Sequence, residues 1–102
     1  MIKARFLTGE IISDFKEYLI LEERSRAAVE KYIRDAKAFL SFVNSLEITK
    51  EAVIEYKKHL QETYAVRSVN SMLASINSLF VFLGWHELKV KSIKLQQQIY
   101  CP

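Results

Sequence analysis

The sequence predicts an all-α domain, and three observations carry that prediction. Apolar residues recur at helical spacing in four separate stretches. Only two Gly and one Pro interrupt the 102 residues, which leaves few places for tight turns. Long stretches favour Ala, Leu, Glu and Lys, all good helix formers. Hydrophobic residues make up 50% of the chain and charged ones 26%, a folded balance rather than a disordered one. A chain of 102 residues is one domain with a single modest core.

Each element has its own justification. The first helix is expected over about 10–22, with Thr8 as its cap and Ile11, Phe15, Tyr18 and Leu19 on one stripe. The second, over about 26–44, follows Ser25 and buries Val29, Tyr32, Ile33, Ala36, Phe39, Leu40 and Val43. The third, over about 50–63, has Thr49 at its N-cap, with Ile48 and Val53 spaced to form a hydrophobic staple. The fourth, over about 66–83, stacks Val69, Met72, Leu73, Ile76, Leu79, Phe80 and Leu83, and Gly84 stands where a C-cap belongs. Short connections make consecutive helices neighbours in a compact four-helix bundle.

An internal echo links two of these helices. Ser25–Val43 and Ala65–Leu83 align without gaps at an offset of 40, placing Val29 on Val69, Ile33 on Leu73 and Leu40 on Phe80. Two explanations stay open: structural equivalence, or the likeness that any two amphipathic helices share. The tail VKSIKLQQQIYCP has no helix-period stripe. It reads as a linker from residue 91 onward, cut short at Pro102, after a domain spanning 1–90.

Several function classes are set aside by what the sequence lacks. Cys101 is the single cysteine, so an internal disulfide and a Cys-based zinc site are excluded, and a reducing, cytosolic setting is expected. No metal or other cofactor is implied. Apolar runs are short, which argues against a membrane span, and MIKARFLTGE lacks the apolar region of a signal peptide. His59 and His86 have no nucleophile or carboxylate at triad spacing, and there is no Gly-rich phosphate loop. Glu22 and Glu23 read as solvated helix-end residues rather than an acid–base pair. Catalysis within these residues is not expected.

The distribution of charge is more informative than its total. Residues 1–62 hold 11 basic and 11 acidic residues, whereas 63–102 hold Arg67, Lys89, Lys91 and Lys94 against Glu87 alone. The whole excess of +3 therefore lies in the last 40 residues, which suits an anionic partner. The fourth helix sits inside that region, and VRSVNSMLASINSLFVFLGW contains no Asp or Glu. On a wheel of roughly 100° per residue, its non-apolar half carries Asn70, Asn77, Arg67, Ala74, Ser71, Ser78 and Ser75. Exposed helix faces usually carry Glu and Lys. Ser and Asn fit a face that approaches a dense row of acceptors, such as DNA phosphates and base edges. The competing explanation is a face covered by another domain.

The second helix supplies a complement. Arg26, Arg34 and Lys37 lie on one side with Glu30 and Ser41 among them, and Arg24 precedes the cap. An ordinary solvated face is the other explanation of this pattern. Both helices begin with unpaired N–H groups suited to phosphate, and Ser25 and Ser68 add hydroxyls there. Trp85, Phe39, Phe42, Phe80 and Phe82 read as core, with Phe42 and Phe82 near the stripe edges, where they suit a neighbouring domain.

Taken in order, EERSRAAVEKYIRDAKAFLSFV, ITKEAVIEYKKHL and VRSVNSMLASINSLFVFLGW resemble the N-terminal SAM-like, core-binding domain of tyrosine recombinases, the phage-type integrases. The likeness covers nearly the whole chain, and the tail looks like the linker toward the catalytic domain in integrases of mobile elements from Gram-positive bacteria. The resemblance implies a C-shaped clamp on duplex DNA during integration, with the second and fourth helices at the major groove. It also implies that the catalytic residues lie in a separate domain, so Tyr100 is not the nucleophile.

Two departures stand out against the family's Ser-x-x-Thr at the start of each DNA-facing helix. Ser25 is kept but Ala28 replaces the Thr, and Ala65 replaces the Ser while Ser68 is kept. The expected DNA contacts are Arg24, Ser25, Arg26, Arg34 and Lys37, then Arg67, Ser68, Asn70 and Ser71, then Lys91 and Lys94 along the linker. Expected partners are double-stranded DNA, the parent's catalytic domain and other recombinase protomers, with no membrane, and the isolated fragment is expected to be monomeric. The expected setting is the bacterial cytosol, at the nucleoid when DNA is bound. The rival reading is a helical protein–protein assembly module, which places the contact on Phe42, Phe82 or the first helix.

Overall fold

The computed structural model describes residues 5–44 and 47–93. It contains four α-helices, α1 (Gly9–Leu21), α2 (Arg26–Val43), α3 (Lys50–Thr63) and α4 (Val66–Leu83), and a short 3-10 turn at His86–Leu88. Within the described residues there is no strand, and the architecture is the all-α bundle expected. The capping chemistry explains the boundaries. Thr8, Ser25 and Thr49 each place a side-chain oxygen to accept the N–H three residues on, from Ile11, Ala28 and Ala52. At the far end of α4, Gly84 adopts φ 77°, the N–H of Trp85 donates to the Phe80 carbonyl, and that of Gly84 to Val81. This is a Schellman close that a residue without Cβ enters at no steric cost. The end of α1 makes the same two-bond close, Arg24 to Leu19 and Glu23 to Ile20, with Glu23 at φ 60°.

The echo at an offset of 40 is structural. α2 and α4 both run 18 residues, and their bounds, N-caps (Ser25, Ala65) and left-handed C-caps (Asn44, Gly84) correspond across that offset. The domain is two helical hairpins of one design. α1 packs on α2 and touches α4, α3 packs on α4 and touches α2, and α1 and α3 do not meet. The N-terminal stretch closes the assembly: the Ile48 N–H donates to the Arg5 carbonyl at 2.7 Å, and Arg5 pairs with Glu87.

The core follows the expected stripes with instructive exceptions. Phe15, Leu19, Phe39, Val53, Val69, Ile76, Leu79 and Phe80 are fully enclosed. On α1 the deepest residue of the first turn is Ile12, not Ile11, which stays half-buried. Tyr32, Leu40, Met72 and Leu83 line the edge of the core rather than its centre. Phe82 packs on Tyr18 and Phe15, with ring centroids 4.8 and 5.6 Å away. Phe42 stacks on His59 and packs at a tilt against Tyr56 but remains 39% exposed. By length and a mean hydropathy of 1.3, α4 has the composition of a bilayer-crossing helix, so short apolar runs alone do not exclude a span. Here its apolar side is the centre of the bundle, packed against all three other helices.

Two polar residues lie where apolar ones would be expected. Asp35 and Ser75 are both buried, and the Ser75 hydroxyl donates to Asp35 Oδ2 at 2.7 Å. Lys31 reaches the same carboxylate at 2.5 Å, and its ammonium also donates to the Ser71 carbonyl and the Ser75 hydroxyl, each at 3.2 Å. Buried polar groups without partners are costly, so this network ties α2 to α4 in one register. Replacing Asp35 with Ala leaves the Ser75 hydroxyl only its longer bond to the Ser71 carbonyl, at 3.4 Å. Because Lys31 is partly exposed and turns toward water, we expect a loss of about 2 kcal/mol, with Asp35→Asn losing less, read from urea unfolding midpoints.

Burial, followed by the nearby charge of Asp35 and then Tyr64, pushes the Tyr56 phenol up from 10.0 to about 12. The fold therefore disfavours the phenolate. Stability from this group is full below pH 10 and is lost as pH rises from 10 toward 12, amounting to about 3 kcal/mol at most. Tyr56→Phe should flatten the fall of Tm across that alkaline range relative to the wild type.

Candidate nucleic-acid interface

The acid-free face of α4 divides into groups used inside the fold and groups that reach solvent. Ser75, expected on the outer face, is fully buried under α2. Asn77 donates its amide to the Val90 carbonyl at 2.8 Å and accepts the Val90 N–H at 3.0 Å. Asn70 treats Ile93 the same way, at 2.8 and 2.6 Å. These carboxamides act as strand-like partners for an extended segment, satisfying backbone groups that have no sheet to join. Asn70 was expected to contact DNA. Its side chain uses one N–H and one oxygen lone pair on Ile93. The same pairs hold the segment on α4 as far as Ile93.

Arg67, Ser68 and Ala74 remain exposed, with Ser71 and Ser78 half-buried. Ala65 offers no side-chain cap to α4, and among the described residues the first-turn N–H groups have no side-chain partner. The corresponding site on α2 differs, because Ser25 Oγ accepts from the Ala28 N–H at 3.1 Å. The missing Ser at residue 65 thus leaves α4 with the freer positive end.

The structure brings the two helices' candidates together in part. Arg34 and Lys31 of α2 line one cleft with Ser68 and Ser71 of α4, and Tyr64 closes one side. Arg34 also borders a second depression with Lys37 and with Lys16 from α1. Arg24 lies over the Tyr32 ring, its guanidinium 5.5 Å from the centroid, and shares a third depression with Ser78 and Lys89. Arg26 is exposed and pairs with Glu30 at 3.2 Å, one turn on. Lys91 stands apart, in a groove with Lys50, Lys57 and Lys58 of α3. Lys94 lies outside the described residues.

Lys16 and Lys89 were missed by sequence reasoning, since neither sits on the two helices singled out. The Lys31–Asp35–Ser75 network was missed as well. A signal for it existed: at an offset of 40 Asp35 falls on Ser75 and Lys31 on Ser71, and both pairs meet in space.

The chain matches the family model of the phage integrase N-terminal SAM-like domain over residues 12–87, and it belongs to that family. The match is to the N-terminal domain and does not include a catalytic one. Searches among curated proteins and among solved structures returned no match.

The two Asn clamps are testable without a ligand. Asn70→Ala and Asn77→Ala should each cost about 1 kcal/mol. Each should also raise amide exchange at its own partner, Ile93 or Val90, while leaving the α1 amides unchanged.

Proposed function

We propose that this chain is the DNA-binding part of a site-specific tyrosine recombinase or integrase, gripping duplex DNA through the outer sides of α2 and α4. The observation that carries the reading is the α4 start. An uncapped helix N-terminus, the exposed Arg67 and Ser68, and Arg34 across one cleft form a surface with donors and positive charge. A phosphate at a helix N-terminus meets free N–H groups and the positive end of the macrodipole together. Membership of the integrase family supports the same partner. Among the described residues there is no group of His, Cys, Asp and Glu that could hold a metal ion.

In this reading Arg67, Ser68 and Ser71 approach the backbone or groove from α4. Ser25, Arg26, Arg34 and Lys37 do so from α2, and Arg24 contributes from the preceding turn. Ser25 Oγ accepts the capping bond from the Ala28 N–H, which leaves its own O–H to donate to a phosphate oxygen. Lys91, in its groove with the α3 lysines, and Lys94 follow the phosphates. Electrostatic contact supplies most of the affinity and little sequence choice. The remaining half of the clamp, and the transesterification itself, belong to a catalytic domain and to other protomers. The working place is wherever the element's DNA lies, in the cytosol at the nucleoid.

Amide NMR titration with a short duplex at low salt tests this. Shifts should concentrate at 24–37 and 66–78, and a protein with no shifts there is not gripping DNA this way. Arg67→Ala should weaken binding and lower the slope of log affinity against log salt by about 1. Equal slopes for mutant and wild type would remove Arg67 from the interface.

A further inference from the structure

The extended segment at residues 89–93 is held along both of its edges by side chains. From α4, Asn77 takes the Val90 N–H and carbonyl, and Asn70 takes those of Ile93. From α3, the Lys50 and Lys57 ammonium groups donate to the carbonyls of Lys89 and Lys91. Carbonyls 89 and 91 thus face α3 and carbonyl 90 faces α4, the alternation of an extended chain. The two Asn clamps are also in step. Seven residues of helix between Asn70 and Asn77 rise about 10.5 Å, and three extended residues from Val90 to Ile93 span about 10 Å. The strap therefore runs antiparallel to α4 and brings the chain at Ile93 toward the start of that helix.

The two clamps differ in what surrounds them. Val90 is buried, and its neighbours Lys89 and Lys91 are each hooked by a lysine of α3. Ile93 is half-buried, Ser92 beside it is exposed, and among the described residues the Ile93 backbone is bonded to Asn70 alone. The outer clamp is thus the one that opens first. Asn70 also stands one turn beyond the exposed Arg67 and next to Ser71, which shares its cleft with Arg34 and Ser68. A carboxamide has two N–H groups and two lone pairs on its oxygen, and Ile93 takes one of each. The side chain is only half-buried, which leaves its second N–H within reach of a ligand at the start of α4.

We propose that Asn70 couples the strap to DNA, holding Ile93 with one N–H and its oxygen while its second N–H donates to a phosphate. The coupling rests on the DNA-binding reading above and adds a consequence to it. Two physical effects link the contacts. Ile93 pins the Asn70 rotamer, so the phosphate contact meets a side chain already ordered. A carboxamide whose oxygen accepts a hydrogen bond is also a more polarised donor, so each contact strengthens the other. Linkage makes the effect reciprocal: a docked strap raises affinity for the duplex, and the duplex closes the strap by the same factor. Occupancy by DNA then fixes the chain at Ile93 against the end of α4 that carries Arg67 and Ser68, and with it the direction in which the chain leaves the bundle.

Amide hydrogen exchange with and without a saturating short duplex at low salt, read residue by residue, tests the coupling. Duplex should slow exchange at the Ile93 N–H about fivefold or more, with a smaller effect at Val90. Ile93→Pro removes the donor to Asn70 without changing charge or altering Asn70 itself, and it should weaken duplex affinity by a similar factor. Asn70→Ala should weaken affinity at least as much, and adding Ile93→Pro to it should cost nothing further, because the link is already cut. Duplex that shifts the α2 and α4 amides but leaves Ile93 exchange unchanged overturns the coupling and leaves the DNA-binding reading standing. Faster exchange at Ile93 overturns it too, since Asn70 would then be releasing the strap in order to reach DNA. Wild-type affinity in Ile93→Pro, or additive losses in the double variant, has the same result. A duplex that moves neither the helices nor the strap removes the DNA-binding reading, and the coupling falls with it.

Discussion

The crossing of α2 and α4 is the constraint on which the rest of the molecule depends. At its centre a carboxylate, a hydroxyl and an ammonium group meet where an apolar contact would otherwise stand. Asp35 accepts from both Ser75 and Lys31, and Lys31 continues to the Ser71 carbonyl. An apolar interface tolerates sliding by a fraction of a turn, because one aliphatic contact substitutes for another. A hydrogen-bonded network does not, since a slipped register leaves a buried group without a partner. Whatever faces outward from α2 and α4 is therefore held at a defined separation by what they share inside.

That internal contact also accounts for the odd composition of α4. A helix touched by every other element has little freely solvated surface, so the Glu and Lys of an ordinary exposed face have few places to go. Ser is small enough to sit beneath α2 at residue 75. Asn is the residue whose side chain can both donate to and accept from a backbone, which is what the segment at Val90 and Ile93 requires. Structural demands thus explain much of the missing acid. The part left for a partner is narrower than the whole face: the uncapped start of the helix, with Arg67 and Ser68.

The likeness of α2 and α4 gives the domain its economy, and the outer helices give it its asymmetry. Equivalent positions converge at the crossing, where sequence is restricted by burial. On the outer helices nothing in the bundle restricts charge, and there the two halves differ most, with acids on α1 where α3 has lysines. A fold can keep its backbone repeat while its outer surfaces take opposite sign, because exposed side chains contribute little to stability.

The helices, their caps and the core stripes were legible in the sequence because they depend on local chemistry. Thr8, Ser25, Thr49 and Gly84 act on backbone groups within four residues, and a 3.6-residue period marks the buried side. Family membership was legible for the same reason, as an ordered string of such signals. The tertiary structure decided which polar residues of a helix face look inward. Asp35 and Ser75 each sit beside an apolar stripe, and only the packing of α2 on α4 makes them partners. Asn70 and Asn77 read as outward groups until residues 90–93 lie against them. The charge of a residue is written in the chain, but its neighbour 40 residues away is set by how the helices cross, and that neighbour decides whether the group is free to meet a ligand.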